Sequence, residues 1–261
     1  YCYYNDSTGY SMATDSAVAI DFSQLDTMWM HADTFKVFTH NIRTDSVYRK
    51  LHAYFHVRSY RRDMQSVCDS LVFTSLDSTI TMYRDPIIWN GAQQILGEEI
   101  MTFLNDSTID SIQVNRQAFS VEQFDTVHYN QVSSHLMRVY MDSGEVRQMY
   151  AVGNVYVDYY PLDDDSLMIG LNYTETTEMR MYMEERKLQK IWMPAATGTL
   201  YPLLLMPKDK QYLSNFAWFD YIRPLDKNDI FIWRPKKAGT ELKATTQRQP
   251  PMQTLDKVKK N

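Results

Sequence analysis

Short runs of alternating apolar and polar residues follow one another along most of this chain, and the same kind of polar pair bounds most of them. Asp side chains hydrogen-bond the backbone two residues on, and Ser and Thr do so more weakly, so an Asp-Ser or Asp-Thr pair favours a turn. Alternation with period two between turns is typical of half-buried β-strands. The chain is therefore predicted to be a long series of antiparallel strands. The pairs begin at Asp6, Asp15, Asp26, Asp33, Asp45, Asp69, Asp77, Asp106, Asp110, Asp125, Asp142 and Asp165.

A hairpin-sized pattern recurs four times in the middle of the chain. It consists of an apolar alternating run, a polar turn and a second apolar run, and its copies cover residues 71–83, 100–112, 137–149 and 179–191. A single hairpin is too small to bury its own apolar face, so neighbouring copies must stack to form a continuous core. The unequal spacing of the copies favours hairpins with variable connections over a strict solenoid.

The stacked repeats are predicted to occupy residues 1–193. Within this part, Asn90-Gly91 is the strongest signal for a tight hairpin turn. Further strands are predicted at 17–22, 28–30, 35–39, 51–60 and 87–89.

The C-terminal third of the chain loses the alternation. Residues 194–235 contain Pro194, Pro202 and Pro207 together with several aromatic residues, and we predict a short irregular cap over the last strands, with one helical turn at 212–218. Residues 236–261 carry seven Lys and Arg against two acids and have no apolar period, which predicts a flexible basic tail.

Composition narrows the class of protein. A chain of 261 residues with 44% hydrophobic and 13% aromatic residues can bury a sizeable core. The net charge of −5 argues against broad nucleic-acid binding. No apolar run approaches the roughly 18 residues of a membrane helix. Because the chain opens at Tyr1 within an apparent strand and carries no signal peptide, we interpret it as a mature or truncated fragment.

Candidate chemistry is sparse. No nucleotide-binding, zinc-protease or serine-hydrolase motif is present. His52 and His56 alternate with apolar residues on a predicted strand, which places them about 13 Å apart, too far to share a metal. Glu98-Glu99 and Glu184-Glu185 are adjacent carboxylates that a strand would point to opposite faces, so neither pair suits a hydrolase. The acidic run 163–165 lacks calcium-loop spacing. These observations predict no enzyme activity, no cofactor and no metal.

Methionine is the most informative apolar residue. Met137, Val139 and Met141 share one strand face, and Met179, Met181 and Met183 share the equivalent face one repeat later. Met is flexible and suits surfaces that adapt to irregular apolar ligands, whereas an ordinary core would use more Val and Ile. The pattern fits either plain core filling or an apolar groove. Leu71, Phe73 and Ile100 would continue the same stripe.

Several motifs, in order along the chain, resemble one protein family. Residues 25–34 (LDTMWMHADT) resemble its hydrophobic-His-Ala-Asp-Thr signature, and residues 55–71 (FHVRSYRRDMQSVCDSL) resemble a companion motif. The segments 77–89, 129–132, 153–154, 169–172 and 222–224 add further matches. Together they resemble the C-terminal part of the OstA-like proteins, which are related to the lipopolysaccharide transport protein LptA. Arg84 departs from the family, which usually has Gly at that place.

This resemblance implies an elongated, folded-over antiparallel β-stack, a β-jelly roll that is open along one side and lined with apolar side chains. It implies a periplasmic carrier or bridge for lipopolysaccharide or a related lipid, which other β-structured envelope proteins would join through their edge strands. Lipid acyl chains would contact the Met, Leu, Phe, Ile and Val positions given above. Arg58, Arg61 and Arg62 are candidate headgroup contacts at the rim, since guanidinium groups bind phosphate.

Two other classes of protein remain open from the sequence. A structural β-scaffold of the cell envelope would have the same repeats around a closed, dry core. A hydrolase would need converging polar groups that the sequence does not contain. The state of Cys2 and Cys68 is also open, although no disulfide framework pattern joins them.

Overall fold

The computed structural model describes residues 1–22, 26–105, 108–185, 187–242 and 245. Every pairing between strands in this part of the chain is antiparallel, and its only helical elements are 3₁₀ turns. The prediction of an all-β protein is therefore confirmed. The strands are β1 Cys2–Asn5, β2 Tyr10–Thr14, β3 Val18–Asp21, β4 Met28–His31, β5 Thr34–His40, β6 Tyr48–Tyr60, β7 Met64–Thr74, β8 Thr79–Tyr83, β9 Ile87–Asn90, β10 Gln93–Leu96, β11 Glu99–Leu104, β12 Ile109–Gln123, β13 Tyr129–Asp142, β14 Glu145–Tyr159, β15 Gly170–Glu184, β16 Lys187–Trp192 and β17 Thr197–Pro202. The 3₁₀ turns are Leu203–Leu205, Lys208–Lys210, Asp220–Ile222 and Asp229–Phe231.

The strands pair in two ladders, here called layer A and layer B. Layer A runs β1-β2-β5-β6-β7-β8-β11-β12-β13-β14-β15-β16. Layer B runs β3-β4-β6-β7-β9-β10-β12-β13-β14-β15-β17. The long strands β6, β7 and β12–β15 belong to both layers through their opposite halves. Between β7 and β12 the two routes form a closed, barrel-like ring of pairings.

Residues with left-handed backbone mark the passage from one layer to the other within β6, β12 and β14 and between β2 and β3, β8 and β9, and β16 and β17. L-residues adopt this region only at a cost, so such residues mark sharp changes of direction. The ladder registers shift at the same places, between 54 and 57, 115 and 118, 133 and 136, and 152 and 155. Arg84 has a φ of 59°, so the left-handed turn forms here without a Gly. Positive φ angles at these bends occur at Asp15, His56, Arg84, Asp85, Arg116, Gln117, Gly153, Asn154 and Ala195.

The four repeat hairpins lie side by side in layer A. They are β7–β8, β11–β12, β13–β14 and β15–β16, which are consecutive in the ladder. Three of them also share a register shift at the equivalent position, at 103/104, 140/141 and 182/183. The internal repeat of the sequence therefore corresponds to a repeated local geometry.

The main core lies between the layers. It combines buried residues of layer A, such as Leu71 and Met137, with residues of layer B, such as Val57, Ile88 and Val155. Burying side chains of this size stabilises the fold by about 1.5–3 kcal/mol each, relative to leaving them exposed. Strand alternation thus directs one apolar face of each layer toward the other.

The C-terminal segment, residues 203–242, does not cover the last strands as predicted. It runs back across the outer face of layer B, where Leu213, Phe219 and Ile222 pack against Trp89 and Phe119. β16 and β17 remain edge strands, with most of their residues exposed. The predicted cap and the observed segment therefore differ in location. β17 itself belongs to layer B and not to a cap.

Buried glutamines of layer B explain why this segment is irregular. Gln131 donates to the carbonyl of Gln211 at 2.9 Å and accepts from the Leu213 amide at 3.0 Å. Gln94 likewise donates to the Ala217 carbonyl and accepts from the Phe219 amide, at 2.8 Å each. These side chains satisfy backbone groups that a local helix would otherwise pair. Residues 212–218 accordingly contain one isolated turn, in which the Phe216 amide donates to the Leu213 carbonyl at 2.9 Å, and no helix.

The ordered contacts continue beyond residue 235, where a flexible tail was predicted. Lys236 Nζ lies 2.6 Å from Asp85 Oδ2, Leu242 packs against the outer core, and the Thr245 amide donates to Glu98 at 2.7 Å. The other positions of the predicted tail, 243, 244 and 246–261, lie outside the described residues.

Gly153 lies at the bend of β14, and Gly144, in the turn before β14, offers a matched comparison of the space around a glycine. Gly153 and Gly144 both have a φ of 84°, but a Cβ at Gly153 would lie 2.9 Å from His135 Cβ, whereas at Gly144 the nearest atom is Asp63 Oδ2 at 3.5 Å. Both alanine variants incur backbone strain of about 1 kcal/mol. Gly153→Ala should lose about 1 kcal/mol more than Gly144→Ala in the free energy of unfolding, measured by urea denaturation. Equal losses would contradict the crowded bend.

Candidate functional site

The nine predicted groove residues all lie at the space between the layers. Five are fully buried in the main core, and three others pack against it. Met183 lines a cavity at the edge of the same space. The buried five are Leu71, Ile100, Met137, Val139 and Met179, and the other three are Phe73, Met141 and Met181.

Strand register explains this placement. Val139 pairs with Met149, Met149 with Met181, and Met181 with Ile191, so these residues form one row across four strands of layer A. The alternate positions point to the outer face. There the Arg180 guanidinium lies 5.1 Å from the centre of the Trp192 ring and 5.4 Å from that of Tyr150.

A cavity of about 260 Å³ lies at the C-terminal end of this row. Its wall is apolar and rich in methionine. Its mouth, at the ends of the strands, is polar. The wall comprises Val132, Val146, Met149, Val157, Met179, Met181, Met183, Leu188 and Ile191, and the mouth includes Asn90, Gln93, Ser120, Glu122, Asn130 and Glu145.

The turn at residues 143–144 contacts layer B. Asn90 Nδ2 in layer B donates to the Gly144 carbonyl at 3.4 Å. A second cavity between the layers, beside Met30, Leu71 and Ile80, measures only about 50 Å³. The interior is therefore packed in its N-terminal half and hollow toward its C-terminal end.

The three predicted headgroup arginines do not form one rim. Arg58 is buried on the outer face of layer B beneath the C-terminal segment, where Nη2 lies 3.7 Å from Asp229 Oδ2. Its neighbours Val57 and Ser59 point inward, so strand alternation directs Arg58 outward. This corrects the assignment of Arg58 to a lipid headgroup.

Arg61 and Arg62 lie near the mouth of the smaller cavity. Arg61 lines it and pairs with Asp63, Nε to Oδ1 at 2.6 Å. Arg62 Nε is exposed and lies 3.4 Å from Asp26 Oδ2. Each guanidinium thus has a carboxylate partner, and neither faces the larger cavity.

Asp158 is a buried carboxylate that the sequence analysis did not identify. Neither of its carboxylate oxygens has a hydrogen-bond partner. It is paired across the ladder with Gln131 and Tyr173 and points away from the interlayer core, since Val157 and Tyr159 face that core. Burial raises the pKa of Asp158 to about 7, and the charge of Lys210 opposes this shift only in part.

The other titratable candidates have structural roles. His52 Nδ1 is 2.9 Å from the Tyr54 hydroxyl, and His56 Nδ1 is 2.8 Å from Asp33 at a bend, so the two rings serve different partners. Although burial opposes ionisation of Glu98, hydrogen bonds from Thr245, Gln117 and Arg116 lower its pKa to about 2. Glu99 instead accepts from Asn115 at 2.8 Å.

Metal and disulfide chemistry find no support in the described part of the chain. No group of three metal-ligating side chains occurs among the described residues. Asp163 accepts from the amides of Asp165 and Leu167, which is turn geometry. Cys2 is exposed, Cys68 is buried, and no disulfide joins them.

The polar mouth of the larger cavity was also missed from the sequence. Ser120 and Glu122 alternate with the outward-facing Phe119 and Val121, so their inward orientation was readable within β12. Their approach to Gln93 and Asn130, however, depends on pairing with β10 and β13.

Comparisons with known proteins identify no relative. No protein-family model matches the chain, and neither a curated protein nor a solved structure matches it significantly. Among the described residues there is no helix of the length and apolarity needed to cross a membrane.

Asp158 predicts a pH-dependent stability. Its pKa is raised in the folded state, so its contribution to stability is present at low pH and is lost as pH rises toward about 7. Asp158→Asn should therefore gain stability over the wild type progressively from pH 4 to pH 7, reaching about 2–4 kcal/mol, and remain constant above. Urea denaturation across this pH range measures the difference. The exposed Asp110→Asn variant is the control, and a flat difference for both variants would contradict the assignment.

Proposed function

We propose that this protein is a lipid-binding carrier or bridge module that holds an apolar chain between its layers and performs no chemistry. The observation that carries the proposal is the methionine-lined cavity of about 260 Å³ with a polar mouth. Ligand pockets commonly measure about 300–1,000 Å³, so this volume suits one short chain better than several. Met side chains can adapt to chains of different shape.

The architecture supports the same proposal. Two antiparallel layers joined by bent strands agree with the folded-over jelly roll that the OstA-like resemblance implies. On that resemblance we further propose a periplasmic location and a role in transporting lipopolysaccharide or a related lipid to the outer membrane. The resemblance covers motifs from residue 25 to residue 224.

The C-terminal end of the stack supports transfer to a partner. β16 and β17 have no further strand beyond them among the described residues, and Leu200 at this end is 51% exposed. Met181 and Ile191 lie half-buried in the last strands. The apolar interior thus reaches an uncovered edge, to which another β-structured envelope protein could add its own strands.

One observation favours a second function, a structural scaffold of the cell envelope. The N-terminal half of the interlayer space is densely packed and holds a cavity of only about 50 Å³. A scaffold needs such a dry core and no ligand. The two functions differ in whether the larger cavity binds an apolar chain.

Substitution of a methionine in the cavity wall distinguishes the carrier function from the scaffold function. Met181→Asp puts a carboxylate into the apolar wall and should weaken binding of N-phenylnaphthylamine, a neutral fluorescent probe, by at least about tenfold. Met101→Asp makes the same change on the outer face of layer A and should leave binding unchanged, since Met101 neighbours Thr81 and Gln113. Fluorescence titration measures both. Absence of saturable binding by the wild-type protein would favour the scaffold.

The partner proposal has its own test. Photo-crosslinking residues placed at Leu200 on β17 and at Tyr3 on β1 should form adducts with strand segments of an envelope protein, because both lie on edge strands. The same group at Thr81, in the middle of layer A, is the control. Mass spectrometry of the adducts identifies the partner segment. Adducts at Thr81 alone would contradict edge pairing.

A further inference from the structure

The mouth of the larger cavity is acidic. Among the described residues that line this cavity there is no Lys, Arg or His, whereas Glu122, Glu145 and Asp158 all line it, Asp158 from a strand position whose side chain points to the outer face. The remaining mouth residues are uncharged hydrogen-bonding groups: Asn90, Gln93, Ser120 and Asn130.

The positions of these groups follow from strand pairing in layer B. Glu122 lies between Gln93 of β10 and Asn130 of β13 in the ladder. Asn130 Nδ2 donates to Glu122 Oε2 at 3.2 Å, and Gln93 Nε2 donates to Ser120 Oγ at 3.0 Å. The carboxylate of Glu122 is thus held at the mouth by a neutral amide and not by a cation.

Glu122 is exposed to solvent at the mouth but lies close to the apolar interior. Tyr159 packs against the interlayer core, and its pKa is raised first by burial and then by the charge of Glu122. An exposed carboxylate at the mouth repels an anionic group and attracts a cation, and each effect is modest because water screens the charge.

We infer that this site binds single-chain amphiphiles whose head group is cationic or uncharged and hydrogen-bonding, and that it discriminates against phosphate and carboxylate heads. This inference rests on the proposed carrier function and narrows its ligand. The tail occupies the methionine-lined wall, and the head meets Glu122, Asn130 and Gln93 at the mouth. Among lipids related to lipopolysaccharide, it favours those without an anionic group next to the bound chain.

Three amphiphiles with the same twelve-carbon chain test the inference: dodecylammonium, dodecyl maltoside and dodecyl phosphate. Isothermal titration calorimetry below their micelle concentrations should give at least about threefold tighter binding for the first two than for dodecyl phosphate. Glu122→Gln should strengthen binding of dodecyl phosphate and weaken that of dodecylammonium, each by about threefold to tenfold, and leave dodecyl maltoside unchanged.

The matched control is Glu175→Gln, which removes the same charge from an exposed position outside this cavity. It should change none of the three affinities by more than about twofold. If Glu175→Gln and Glu122→Gln have equal effects, the net charge of the protein and not the mouth sets the preference, and the inference fails.

The remaining outcomes separate the inference from the proposed function. Binding of all three amphiphiles, with dodecyl phosphate as tight as the others, would overturn the head-group preference and leave the carrier function standing. Binding of none would overturn the carrier function itself.

Discussion

The bending of the long strands, with left-handed residues in β6, β12 and β14, is the constraint on which the rest of the structure depends. A strand that continued straight would place its two halves in one flat sheet with both faces exposed. The bends at His56, Arg116, Gln117 and Asn154 instead direct one face of each half toward the other half. Backbone strain at these positions is offset by the apolar area that the two layers bury between them.

The bends also separate the two ends of the molecule into different environments. In the N-terminal half the side chains of both layers fill the space, whereas the methionines of β14 and β15 line a cavity whose mouth lies at the strand ends. Met side chains are flexible and adapt to irregular apolar shapes, so the wall of this cavity can adjust to a bound chain. The proposed carrier function depends on that adaptability.

The C-terminal segment makes a second apolar face possible. The outer face of layer B carries Trp89, Phe119 and Val121, which would be exposed without Leu213 and Phe219 above them. Gln94 and Gln131 hold this segment through its backbone, so its position depends little on regular secondary structure. The burial of Arg58 and Asp158 beneath or beside the same segment follows from this cover.

Local sequence pattern was sufficient for the all-β class, for the strands of the repeats and for the inward face of the methionine stripe, because alternation and turn residues act within a few positions. It was insufficient where a bend changes the alternation. In β14 the inward positions Ala151 and Val155, on either side of the bend, lie four residues apart, whereas Met179 and Thr176, which pair with them in β15, lie only three apart. The alternation does hold through the bend of β6, and the predicted role of Arg58 failed because the C-terminal segment covers the outer face to which Arg58 points. The cover over layer B, the contact of Asn90 with the 143–144 turn and the acidic mouth at Glu122 all join residues distant in sequence. They depend on three-dimensional packing, which no local period encodes.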